Sequence, residues 1–234
     1  MKLIGFLLFF VVNSICFSYH HQFVFLQSAE QLYFRQVVPA ISDRFLGVPG
    51  KDDGLFGQNL GANVAYSLKL GLGYNQVISY SGTSLYSQKS FSYKKSKNIT
   101  DNNWIGGSIN IDFITLDSKQ NTTLSYIVFG GVVSEKFDLM LNCIYKDFFS
   151  TFQIGIGAAW QAIPKTKLFI ELFTPVENYS PNAVILTGAK IMTFGHNFYF
   201  FVANQNEEGY IAATSGSDSN QFYSGFKIER IFDF

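Results

Sequence analysis

Between Ala62 and Tyr74 the chain reads ANVAYSLKLGLGY, and it never breaks step. Ala62, Val64, Tyr66, Leu68, Leu70, Leu72 and Tyr74 share one parity, while Asn63, Ala65, Ser67, Lys69, Gly71 and Gly73 share the other. A β-strand sends alternate side chains to opposite faces, so this stretch is a two-faced strand, far longer than the usual strand of about five or six residues. TFQIGIGAAWQA repeats the order, with Phe152, Ile154, Ile156, Ala158 and Trp160 against Gln153, Gly155, Gly157, Ala159 and Gln161. In WIGGSINIDF, Ile105, Ile109, Ile111 and Phe113 face away from Ser108, Asn110 and Asp112. LYFRQVVPAIS, QVISYSGTS, SQKSFSYKK, TLSYIVFGGVV, LMLNCIYKDF, KLFIELFT, AVILTGAKIMTF and NFYFFVAN are weaker members, and the chain ends on FKIERIFDF. Together these make about twelve strands, an even count of the kind closed outer-membrane barrels have.

The direction of the two faces decides the medium. A soluble lipocalin-like barrel turns its apolar face inward and a charged face to water. Only 15% of this chain is charged and 18% is aromatic, whereas soluble domains run near about 25% charged. The polar parity carries Gly, Ser, Asn and Gln rather than ions, which suits a crowded lumen, and the Leu, Ile, Phe and Tyr parity suits lipid. Closure also removes sheet edges that lipid cannot hydrate. The expected fold is therefore all-β: a closed antiparallel up-and-down transmembrane β-barrel of about twelve strands. Net charge is +0, which gives no reason to expect a nucleic-acid partner or a polybasic membrane-surface mode.

The start of the chain supplies an address. MKLIGFLLFFVVNSICFS, residues 1–18, has a positive Lys2, an apolar core too short to span a bilayer, and small residues at Cys16-Phe17-Ser18. It reads as a secretory signal cleaved after Ser18; Asn13-Ser14-Ile15 is a poor approach to an acylated Cys16. Residues 19–30 are then an N-terminal segment and 31–234 the barrel. Beyond the signal no apolar run is long enough for a spanning helix, and Cys143 alone makes no disulfide framework.

Connections sort into two sets. Short ones fall around Tyr74-Asn75-Gln76, Glu135-Lys136, Pro164-Lys165 and Gly195-His196, with a longer one at 97–102. The other set includes 43–60, 175–182 and 205–220. This asymmetry is that of short periplasmic turns and long outer loops. It places Tyr74, Trp104, Trp160, Phe232 and Phe234 at the periplasmic rim as an aromatic girdle. In FKIERIFDF, Phe226, Ile228, Phe232 and Phe234 alternate with Lys227, Glu229 and Asp233, so the last strand closes the barrel. Its terminal Phe is similar to the carboxy-terminal tag that the barrel-assembly machinery reads.

DRFLG (43–47), LFGQNLGAN (55–63), GLGYN, GHNFYFFVANQ (195–205), GYIAATSG and FYSGFKIERIF (to 232) resemble a bacterial β-barrel family catalogued as domain of unknown function 5777. Asp43 stands where that pattern has a histidine, and 84–150 matches only in strand rhythm. The resemblance implies an outer-membrane barrel and brings no catalytic residues.

The chemistry visible in the residues is thin. His20 and His21 lie near the processed N-terminus and His196 in a tight turn. No Ser, His and carboxylate are spaced as a hydrolase needs. Asp52-Asp53 and Glu207-Glu208 read as solvated loop charge rather than a calcium site, and GLGYN lacks the strand-to-helix setting of a phosphate loop. No enzyme, cofactor or metal is expected. Lumen candidates are Asn63, Ser67, Lys69, Asn110, Asp112, Gln153, Gln161, Lys227 and Glu229. Two functions fit: a structural or binding barrel whose lumen is filled by side chains or by an inward-folding loop, 43–60 or 205–220, or a narrow diffusion channel for small solutes with little charge preference.

Overall fold

The computed structural model describes residues 23–28, 32–51, 54–84, 88–116, 119–147, 150–175, 182–205, 217 and 221–234. The signal at 1–18, His20, His21, Asp52, Asp53, Glu207 and Glu208 lie outside the described residues.

The strands, in chain order, are β1 Gln36–Phe45, β2 Ala62–Gly73, β3 Gln76–Thr83, β4 Lys89–Asn98, β5 Asn103–Leu116, β6 Lys119–Val133 and β7 Phe137–Lys146. There follow β8 Thr151–Ile163, β9 Thr166–Phe173, β10 Val184–Met192, β11 His196–Ala203, β12 Tyr223–Arg230 and the short β13 Phe232–Asp233. Each pairs antiparallel with the next, and β1 pairs with both β2 and the β12–β13 stretch, so the sheet closes on itself. The sole helix among the described residues is a short 3-10 turn, Gln58–Leu60.

The last two strands are one stave. Ala40 faces Glu229, and Val37 faces Phe232 in the same register, so the break falls opposite Val38 and Pro39. Proline has no N–H to give the ladder. The barrel therefore has twelve staves, with β13 continuing β12. Arg230 and Ile231, which interrupt the terminal alternation in the sequence, sit at this break. The Arg230 guanidinium lies 4.8 Å from the Phe232 ring, while Ile231 packs inward on Leu32, Val38 and Val77.

Tight hairpins mark one end. Tyr74 and Asn75, at φ 50° and 58°, form a two-residue primed turn of the type that matches strand twist. Connections at the other end include the long stretches 46–61, 174–183 and 204–222, but also the short 147–150 between β7 and β8. The first strand begins later than its sequence suggests. Tyr33 to Gln36 form a turn, with Arg35 at φ 69°, and the strand then extends through Asp43 and Arg44 to Phe45. The turn lies directly on β2: a Cβ at Gly71 would stand 2.2 Å from the Tyr33 carbonyl oxygen.

Outside, the apolar parity is bare: Leu68, Ile78, Phe91, Ile109, Val128, Leu141, Ile156 and Ile170 are all exposed. A soluble barrel would have the opposite arrangement. Tyr66, Tyr80, Phe91 and Phe113 form an outer ladder across β2 to β5, neighbouring ring centroids 6.0, 4.8 and 6.3 Å apart. Tyr74, Trp160 and Phe234 are exposed at the tight-turn end, and Phe232 packs on Phe234. Trp104 corrects the girdle expectation. It shares parity with Ser108, Asn110 and Asp112, points into the barrel, and meets the Phe129 ring edge-on at 5.9 Å.

Candidate functional site: an occupied lumen

The interior is not a water-filled bore. Residues 23–28, FVFLQS, run inside it, and Phe23, Phe25 and Leu26 are almost wholly buried. They pack with Ile127, Phe129, Met140, Ile144, Phe169, Phe173, Leu186, Tyr199 and Phe201, all inward residues of β6 to β11. Gly155 and Gly157 make the space. A Cβ at Gly157 would stand 2.4 Å from Leu26 Cδ1 and 2.6 Å from Phe23 Cε1.

An extended segment inside a barrel carries backbone groups that must be paired. The wall supplies the partners. The Glu171 carboxylate accepts three successive backbone N–H groups, from Val24 at 2.5 Å and from Phe25 and Leu26 at 3.0 Å each. Successive N–H groups converging on one anion form a favourable electrostatic nest. Asn142 reads Gln27 in both directions: Oδ1 accepts from the Gln27 N–H at 2.8 Å, and Nδ2 donates to its carbonyl at 3.0 Å. Lys94 Nζ donates to the Ser28 carbonyl at 2.9 Å, and Lys227 Nζ approaches the Val24 carbonyl at 3.4 Å. Arg44, wholly buried, lies between the rings of Phe25 and Phe201 at 5.1 and 5.2 Å, and donates from Nη1 to the Gln205 carbonyl at 2.8 Å.

The residues expected in the lumen are on the inner face. Asn63, Asn110 and Asp112 are buried on β2 and β5, and Asp112 accepts from Ser90 at 2.6 Å and Ser125 at 2.5 Å. Gln153 Nε2 donates to the Thr174 carbonyl at 2.7 Å. Gln161, at the tight-turn end, donates to the Ile163 carbonyl at 2.8 Å. Glu229 accepts from the Tyr199 hydroxyl at 3.0 Å and pairs with Lys227 at 2.7 Å and Lys69 at 4.0 Å. Ser67, Lys69 and Lys227 border a cleft of about 130 Å³ beside the segment.

Sequence reasoning missed Glu171, Asn142, Arg44, Lys94 and the buried pair Lys167–Asp138, 2.5 Å apart. It also expected an inward-folding loop. The described part of 43–60 instead prolongs the first hairpin, with Leu46 and Gly47 amides donating to the Gly61 and Gly57 carbonyls and Leu55, Phe56 and Leu60 exposed. Gln205 is buried under Arg44; most of 206–220 lies outside the described residues. The occupant is the N-terminal segment, for which the sequence suggested no role.

No family profile matches this sequence, and no curated protein does. Among solved structures it is similar to the KdgM porin, with a TM-score of 0.57 at 7% identity over 85% of this chain and 99% of that one. The NanC porin gives 0.55, again at 7% identity, 85% and 99%. A KdgM porin in complex with disordered oligogalacturonate gives 0.56 at the same identity and coverage. At such identity the likeness concerns the fold alone, a closed antiparallel β-barrel of the kind these porins have.

Proposed function

We propose that this chain is an outer-membrane barrel held shut at rest by its own N-terminal segment, a structural or binding barrel rather than an open channel. It has no catalytic role in this reading, and membership of the barrel family of unknown function suggested by its motifs fits without adding an activity. The Glu171 carboxylate supports it most: a buried anion aimed at the backbone of three consecutive residues is costly without them, so wall and segment are made for each other. The outward Leu and Ile band and the tight-turn aromatics suit lipid, which supports residence in the outer membrane.

The channel reading keeps one observation in its favour, the cleft beside the segment, lined on its wall side largely by polar groups. Neighbours named as porins share the fold, so the two readings join if the segment can leave. Conductance decides between them. The intact mature chain in planar bilayers should show no steady current, and deletion of residues 23–28 should open steps of current. A steady ohmic conductance from the intact chain would refute closure.

A further inference from the structure

The cleft beside the segment is chemically one-sided. The hydroxyls of Ser42, Ser67, Ser79, Ser81 and Ser92 line it together with the ammoniums of Lys69, Lys94 and Lys227, and none of its lining residues is acidic. The wider lumen leans the same way. Arg44, Lys69, Lys94, Lys146, Lys167, Lys190 and Lys227, seven cations, face inward against Asp112, Asp138, Glu171 and Glu229, four carboxylates, among the described residues. Asp112 is held by serines, Asp138 by Lys167 and Glu171 by the segment's backbone. Glu229, which accepts from Tyr199, also pairs with the cleft ammoniums of Lys227 at 2.7 Å and Lys69 at 4.0 Å, so the three cleft ammoniums still outnumber that one adjoining carboxylate.

Two of the three cleft lysines also hold the segment, through the Ser28 and Val24 carbonyls. We infer that the cleft binds a small organic carboxylate and that this binding loosens the N-terminal segment, an inference that rests on the closure reading above. Confined cations between low-dielectric walls concentrate negative charge, and hydroxyl and ammonium donors complete the shell of a carboxylate. An ammonium facing an anion gains the Coulombic attraction between two full charges, which a neutral carbonyl does not supply. The carboxylate gains the donors that Lys94 and Lys227 spend on the two carbonyls only when those carbonyls let go. That difference in affinity between the held and released states is what a ligand needs to shift the balance.

A buried thiol reports on the segment. In detergent-folded mature chain carrying Cys143→Ala and Leu26→Cys, maleimide labelling should be slow in chloride buffer. Acetate or lactate at equal ionic strength should speed it about fivefold or more, the usual lower range of coupling between sites, while neutral acetamide should not. Lys69→Gln, which removes one ammonium bordering the cleft, should abolish the acceleration measured against that variant's own rate in chloride, and acceleration that survives in it would overturn the anion site. Retained heat-dependent gel migration confirms that each variant is folded. Slow labelling with and without acetate would overturn the anion site and leave closure standing. Equal acceleration by acetamide would overturn the charge selectivity. Fast labelling in chloride alone would overturn closure itself, and the inference with it.

Discussion

The two halves of the inner wall obey one backbone rule, but only one of them carries a packed apolar cluster among its polar groups. Across β2 to β4 the inward positions include Asn63, Ser67, Lys69, Ser79, Ser81, Ser90 and Ser92; Ser67, Lys69, Ser79, Ser81 and Ser92 border the cleft, Ser79 and Ser92 bond at 2.6 Å, and Ser90 donates to Asp112. Across β6 to β11 the inward positions add an apolar set, Ile127, Phe129, Met140, Ile144, Phe169, Phe173, Leu186 and Phe201, packed with the N-terminal segment, beside buried polar groups such as Asn142, Lys167 and Glu171. Alternation says only which residues share a face. What lies beyond that face, water or six residues of the same chain, decides which side chains it carries. The packed half behaves as a protein core completed by residues 23–28.

The comparison can be broken by deleting one polar group from each half. Glu171→Ala leaves the Val24, Phe25 and Leu26 amides without their acceptor. Each buried orphan costs about 1–3 kcal/mol, so the loss should be about 3 kcal/mol or more and the segment should leave the lumen. Bilayer current from this variant, or new protease cleavage near residue 25, checks it. Ser79→Ala, beside the cleft, removes one hydroxyl bond where water can substitute and should cost about 1 kcal/mol or less. Similar losses from both would erase the distinction between the halves.

The same contrast explains what could be read beforehand. The outward face was legible along most staves, because lipid favours apolar residues there. The inward face was legible where it is polar: Asn63, Ser67, Lys69, Asn110 and Asp112 stand out against Leu and Ile neighbours. In KLFIELF both parities are apolar, since Phe169 and Phe173 face the segment while Leu168, Ile170 and Leu172 face outward. Glu171 is hidden there as a lone charge in an apolar run. Trp104 misled for a related reason. A tryptophan at a strand end on the side of the short connections looks interfacial, yet its parity matches Ser108 and Asn110, and that parity was the stronger signal. FVFLQS has no alternation partner of its own, so its place depends on Asn142, Glu171, Lys94 and Lys227, which are remote in sequence.

Arginine scanning sharpens the comparison. Leu68 and Ile156 are about half exposed on the outer face, so Leu68→Arg and Ile156→Arg should each cost about 2–4 kcal/mol near the middle of the lipid. The inner neighbours should diverge. Ser67→Arg has the cleft to enter and, though it adds a cation beside Lys69, should cost less than Gly155→Arg, which would drive into Leu26 and Phe173, whose side chains already lie 2.6 and 2.9 Å from where a Cβ would stand. Overpacking of that kind costs about 1–3 kcal/mol even for added methylenes. Urea titrations of refolded barrels read all four. Equal tolerance at Ser67 and Gly155 would mean that the segment does not occupy the β8 side.

The smallest effect on stability belongs to the seam where the halves meet, the β12–β13 stave between β11 and β1. Phe234 is 63% exposed there and touches Phe232 at a centroid distance of 6.4 Å. Burying a whole aromatic side chain is worth about 1.5–3 kcal/mol, so a ring this exposed contributes less than the lower figure. Deleting Phe234 should therefore leave refolding into detergent nearly unchanged. The Gln36–Asp233 side-chain bond at 2.6 Å and the pairing of Val37 with Phe232 remain to hold the closure. If the terminal Phe is the tag read by the assembly machinery, the same deletion should sharply lower the amount of barrel assembled in cells. Loss in cells with normal refolding in detergent separates recognition from stability. Normal assembly in cells would reduce Phe234 to a rim residue, and failure in both settings would show that the seam depends on it structurally.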